Sequence, residues 1–204
     1  MLVRILFILA CAPLAACNTV STSPAPGGAD SALDSYVGYR ADEPAQALAQ
    51  NGPPRSQGLA REVVPYRGDE KPGTIVVRTN ERRLYLVLED GKALRYPVGV
   101  GRAGKQWQGR SEIDGAYVEP AWAPTPEIKQ DNPRLPDVIP GGSDGNPMGA
   151  RALTLTGGDY AIHGTNRPES IGTYASYGCI RMFNADVTDL FGRVRVGTQV
   201  VVTL

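Results

Sequence analysis

Histidine occurs once in this sequence and cysteine three times, and two of the cysteines, Cys11 and Cys17, fall near the N-terminus. Protein-bound zinc ordinarily takes three or four N, S or O ligands. His163 and Cys179, with no other soft ligand near them in the chain, therefore make a poor metal site, and nothing here calls for a cofactor. Charge of one sign is lacking too, since 21 basic and 21 acidic residues leave a formal net charge of zero. Nucleic-acid affinity rests mainly on neutralising phosphates, so no nucleic-acid partner is expected. The apolar run from Ile5 to Cys11 is too short to span a bilayer.

What the N-terminus does contain has the layout of a secretory signal peptide: Arg4, the short apolar run, then small residues. Leu14-Ala15-Ala16-Cys17 resembles the bacterial lipobox, in which the cysteine is lipidated and becomes the first mature residue. The resemblance implies a signal peptide over 1–16, a lipid on Cys17, and a protein anchored in the cell envelope facing the periplasm. Asn18 after the cysteine implies delivery to the outer membrane. Cys179 is then the one free thiol in an oxidising compartment, where a lone cysteine is a liability unless a function needs its thiolate. No intramolecular disulfide is expected.

Residues 17–72 are rich in Ala, Pro, Gly, Ser and Asp and carry no sustained period, which reads as a flexible tether. A coil of roughly 55 residues has a root-mean-square span of about 40 Å. From Gly73 to Leu204 the texture is that of a folded domain, and "GTIVVRT", "RRLYLVLE" and "KALRYPVGV" form a β-meander with Asp90-Gly91 as a hairpin turn. A further strand is expected near "AYVEPAW". Seven prolines between Pro120 and Pro147 then forbid long regular elements. Arg151 to Leu155 and Tyr160 to Ile162 read as strands around the turn Gly157-Gly158, which places His163 at a strand end. Asn184 is expected to cap a helix with Val187, Leu190, Phe191 and Val194 on its apolar face, and "GTQVVVTL" to close the chain as a strand.

His163 and Cys179 are suited to nucleophilic catalysis, because an imidazole within reach of a thiol lowers its pKa and can protonate a leaving group. The same pair could also be an inert cysteine and a satisfied histidine, but that leaves the glycines around them without a purpose. Chain order separates the cysteine chemistries. Papain-like enzymes place the cysteine first, and caspases have a Q-A-C signature that is absent here.

His163-Gly164, a loop, and then Ser176-Tyr177-Gly178-Cys179-Ile180-Arg181 resemble the catalytic motif of the L,D-transpeptidase (YkuD) domain family. The likeness extends to "EPAWAPTPE", "GNPMGARALTL" and "NADVTDLFGRVRVGTQV". It implies a mainly β fold, a curved mixed sheet or barrel-like arrangement with one C-terminal helix and a capping loop. It also implies a substrate, the peptide stem of peptidoglycan. Cys179 would attack the L-centred carbonyl of stem residue three and release D-Ala, with His163 as base and then acid. The resulting thioester would pass to an amine of another stem or of an envelope protein. Water as acceptor would make a carboxypeptidase or a hydrolase releasing wall-bound protein, and a dead site would leave a lipid-anchored wall-binding module.

Around the dyad, Gly178 and Cys179 are expected to offer backbone N–H groups to the oxyanion. The resemblance implies that a carbonyl near Gly164 holds the imidazole tautomer. Arg181 either binds a substrate carboxylate or braces the catalytic turn, and bracing is favoured. Ser176 is expected to bond the turn itself. Asn146, Gly149, Trp122, Tyr174 and Tyr177 are candidate cleft walls. Tyr177 departs from the commonest family pattern, which has a second histidine there.

Overall fold

The computed structural model describes residues 59–204. The expected signal peptide, Cys17 and most of the expected linker lie outside the described residues. Eleven strands follow the alternation of apolar side chains: β1 (Glu62–Pro65), β2 (Ile75–Arg78), β3 (Arg83–Val87), β4 (Lys92–Pro97), β5 (Val100–Gly101), β6 (Gly109–Val118), β7 (Arg151–Leu155), β8 (Tyr160–His163), β9 (Tyr174–Ser176), β10 (Ile180–Arg181) and β11 (Gln199–Thr203). Two helices, α1 (Pro126–Asp131) and α2 (Asn184–Phe191), complete the regular structure with a 3-10 turn at Pro168–Ser170.

Nine strands form one mixed sheet in the order β1-β4-β3-β2-β11-β6-β7-β8-β10, and β5 pairs with β9 separately. The β3–β4 hairpin turns through Asp90 and Gly91, whose φ angles of 58° and 64° are those of a type I′ turn. Ile75, Val77, Leu84, Leu86, Tyr96, Leu153, Leu155, Ile162, Ile180, Val200 and Val202 all enter one buried cluster. Those residues come from both halves of the sheet, so the sheet curls around a single core, with Val187 and Leu190 of α2 closing it. Period-two alternation sends the intervening residues the other way. Val76, Tyr85, Val87 and Val201 pack on the opposite side of the meander, and Ala152, Ala161 and Met148 on the opposite side of β7–β8.

Two expectations need correction. The sheet begins at Glu62 rather than at residue 73: Val63 and Val64 pair with Leu94 and Ala93, and the Tyr66 N–H donates to the Gly91 carbonyl. Few large apolar residues mark that segment, because β1 is an edge strand with mostly exposed side chains. The cap residue of α2 is Phe183, not Asn184. Asn184 Oδ1 instead accepts the N–H groups of Ala150 and Thr165, both at 3.1 Å, and its Nδ2 donates to the Thr165 carbonyl. It ties α2 to the start of β7 and the end of β8. The proline-rich stretch holds α1, capped by the Thr125 hydroxyl and started by Pro126, where a missing N–H costs nothing.

Candidate active site

Strand alternation sets the site. β8 and β10 run parallel with Ile162 opposite Ile180 and His163 opposite Arg181. Both isoleucines enter the core, so His163 and Arg181 face the other side, and Cys179 joins them one strand residue away from Ile180. His163, Cys179 and Arg181 line one cleft of about 490 Å³ together with Ser176, Tyr177, Tyr160 and Trp122.

The turn that carries Cys179 is tightly built. Ser176 Oγ accepts the Gly178 N–H at 3.1 Å and donates to the Cys179 carbonyl at 2.6 Å. Gly178 has φ of 124°, and a Cβ there would overlap the Tyr160 ring. Trp107 stacks on that ring with centroids 4.7 Å apart, and its indole N–H donates to the Gly178 carbonyl at 3.0 Å. Glycine is therefore required twice over, by backbone angle and by the ring beneath it. The expected oxyanion pair changes accordingly. The Gly178 N–H is committed to Ser176, while the Cys179 N–H has no acceptor among the described residues.

His163 is buried, and burial, followed by the nearby positive charge of Arg181, pushes its pKa down to about 4. The carbonyls of Gly164, Met148 and Pro147 favour the protonated ring, yet Nδ1 has no partner in hydrogen-bond geometry. Burial raises the pKa of the half-buried Cys179 thiol, against the opposing effects of the Ala161 backbone and Arg181. Its Sγ lies 3.8 Å from the Asp159 carbonyl, to which it donates, and makes no hydrogen bond to His163. The resting pair is a neutral thiol beside a neutral imidazole.

Above the cleft lies the segment that contains α1. Trp122 and Ile139 exchange backbone hydrogen bonds of 2.9 and 2.7 Å that pinch its base. Asn146 holds it as well: its Nδ2 donates to the carbonyls of Pro120, Pro140 and Ile139, and its Oδ1 accepts the Met148 N–H. No residue of α1 is buried, so polar contacts hold its outer side. Asp131 accepts the Tyr177 hydroxyl at 2.6 Å and the Arg102 guanidinium at 3.0 Å, and Arg102 lies 4.0 Å over the Tyr177 ring. Lys105 and Glu127 make a second ion pair across the gap.

Of the expected wall residues, the cleft contains Trp122 and Tyr177 only. Asn146 is a buried structural pin. Tyr174 is exposed and outside the cleft, accepting from Arg82 and donating to the Asn80 carbonyl. Gly149 and Gly164 are needed because a Cβ on either would overlap the Asn184 side chain. Tyr160, Trp107, Asp159, Arg102 and Asp131 escape a sequence reading. Asp159 acts through its carbonyl, and the others meet the Cys179 turn only across long stretches of chain.

Comparison with known proteins places this geometry among others. Residues 72–202 match the YkuD family, described as the L,D-transpeptidase catalytic domain. The probable L,D-transpeptidase ErfK/SrfK of Escherichia coli K12 is 39% identical over 135 residues, which cover 62% of this chain and 42% of that protein. YqjB of Bacillus subtilis strain 168, also named for L,D-transpeptidase, is 38% identical over 145 residues, covering 68% of this chain and 74% of its own length. The chain thus spans about two fifths of the E. coli relative. The catalytic domain of an Enterococcus faecium L,D-transpeptidase superposes with a TM-score of 0.51 at 19% identity, over 67% of this chain and all of that one. That likeness establishes a shared fold.

Proposed function

This chain belongs to the YkuD family of L,D-transpeptidase catalytic domains, and from that premise we propose that it transfers the acyl group of a peptidoglycan stem through a thioester on Cys179. The observation that carries the reading is the placement of Cys179 and His163 on one face of neighbouring strands, in one cleft, beside an uncommitted Cys179 N–H. The donor's L-centred carbonyl at stem residue three would sit over the sulfur with its oxygen toward that N–H. Sγ bonds to the carbonyl carbon as its proton passes to His163. The carbon–nitrogen bond then breaks, and the proton leaves with the amine of D-Ala. An acceptor amine attacks the thioester carbon, the carbon–sulfur bond breaks, and a proton returns to the thiol.

The acceptor is an amine of a second stem or of an envelope protein, and lipid on Cys17 would tether the domain in the bacterial envelope, facing the periplasm. Incubation of the chain with tetrapeptide muropeptides, read by mass, tests the reading. Cross-linked dimers are the expected product. Tripeptides alone would mean that water is the acceptor, and unchanged stems would refute the reaction.

A further inference from the structure

Arg181 is rigidly placed, yet its charge holds nothing. Its backbone N–H and C=O exchange 2.8 Å hydrogen bonds with Gly99 on one side, and it sits opposite His163 of β8 on the other. A Cβ at Gly99 would come within 2.6 Å of the Ser170 carbonyl, so the segment bonded to Arg181 can pack this closely on the 3-10 turn only as glycine. The side chain lines the cleft, its Nε is buried without a partner, and its guanidinium makes no hydrogen bond or ion pair among the described residues. Burial lowers its pKa, against the through-space pull of Cys179 and of Glu169, neither of which makes a contact ion pair with it. The other cation lining the cleft, Lys105, is already paired with Glu127. A brace needs an acceptor to brace against, and Arg181 has none. A partly buried guanidinium without an anion is costly unless a ligand supplies one.

We propose that Arg181 binds the free α-carboxylate of the residue that leaves the donor, so that the enzyme selects stems ending one residue beyond the attacked carbonyl. The inference rests on the transfer reaction proposed above. Arg181 stands two strand residues from the nucleophile, about 6.6 Å along the chain. The carboxylate of a terminal residue lies about 3–4 Å from the carbonyl that joins it to the donor. A guanidinium on the same face spans what remains and meets a carboxylate with two parallel hydrogen bonds. The arriving anion also offsets the positive charge that, after burial, keeps His163 unprotonated. Donor binding and proton uptake from the thiol are thereby coupled.

The test compares a tetrapeptide stem ending in D-Ala with the same stem ending in D-alanine amide. Wild-type protein should prefer the acid by about 30-fold in kcat/KM, the range of a charge-assisted contact. Arg181→Ala should bring acid and amide to the same kcat/KM, and its circular dichroism and thermal transition show that the variant is folded. Arg181→Lys should recover part of the preference. A preference that survives Arg181→Ala, or an equal fall on both donors, would overturn the proposal, the latter pointing to an action on the sulfur. Equilibrium binding of both stems to Cys179→Ala separates the two readings. Tighter binding of the acid that disappears in Cys179→Ala/Arg181→Ala supports the carboxylate site even where no turnover is seen. Equal binding of acid and amide refutes it, whatever the turnover.

Discussion

His163 carries a pH dependence of stability with a defined sign. Its folded pKa of about 4 lies below the ordinary histidine value near 6.5, so the unfolded chain takes up the proton first. The contribution is complete above pH 6.5 and is lost as the pH falls through about 4, amounting to about 3 kcal/mol. Denaturant unfolding at pH 7 and pH 4 should show wild type losing about that much more than His163→Gln. Parallel losses would mean that the ring is not buried neutral. Gly178 is held by its backbone angle and by its surroundings. Its φ of 124° and the Tyr160 ring beneath it make Gly178→Ala destabilising by about 1–3 kcal/mol. Turnover should fall further than stability, since the displaced turn carries the Cys179 N–H. Wild-type turnover in that variant would show that the turn tolerates movement and that the oxyanion donor lies elsewhere. Serine, glycine and cysteine are legible as a candidate catalytic turn from their order in the chain. Which N–H the serine occupies is not, because Ser176 could bond any of several nearby groups.

α1 buries none of its side chains, and its outer side is fastened by Asp131 to Tyr177 and Arg102 and by Glu127 to Lys105. Exposed ion pairs are weak singly and are screened by salt. The element should therefore behave as a strap that salt loosens. Asp131→Ala is expected to speed alkylation of Cys179 several-fold. Salt at 1 M should do the same to wild type and little more to the variant; salt-insensitive alkylation in both would exclude the strap. Tyr177→Phe should keep turnover within about tenfold, because the hydroxyl faces Asp131 and not the thiol. A hundredfold loss would make the phenol part of the chemistry. The prolines announce an irregular region, and the short helix inside it follows from a threonine cap and Pro126, signals too local to outweigh them. Asn184 is the reverse case. It has the chemistry of a cap and stands at the right place in the chain, but two N–H groups from other elements claim its oxygen.

At the scale of the molecule, β11 is the strand on which the sheet depends, pairing in parallel with β2 and antiparallel with β6. β1 pairs only with β4, at the edge. A chain ended at residue 198 should lose cooperative unfolding and amide dispersion altogether, whereas removal of residues 59–65 should lower stability and leave the β8–β10 face intact. Persistence of a cooperative transition without β11 would show that the two halves of the sheet fold independently. The sequence alone marks β2, β3, β4, β7, β8, β11, the Asp90-Gly91 hairpin and the C-terminal helix, and nominates Cys179 and His163 for nucleophilic chemistry, because period, turn residues and motif order are local properties that need no distant neighbour. It also carried the resemblance from which the fold and reaction class follow. That Arg181 lines the cleft unpaired, that Asn146 and Tyr174 stand outside it, that Ser176 takes the Gly178 N–H, and that the fold reaches back to Glu62 follow from packing alone. Each of these depends on which group from a remote segment comes within hydrogen-bond distance, and on how much water the packing leaves between them.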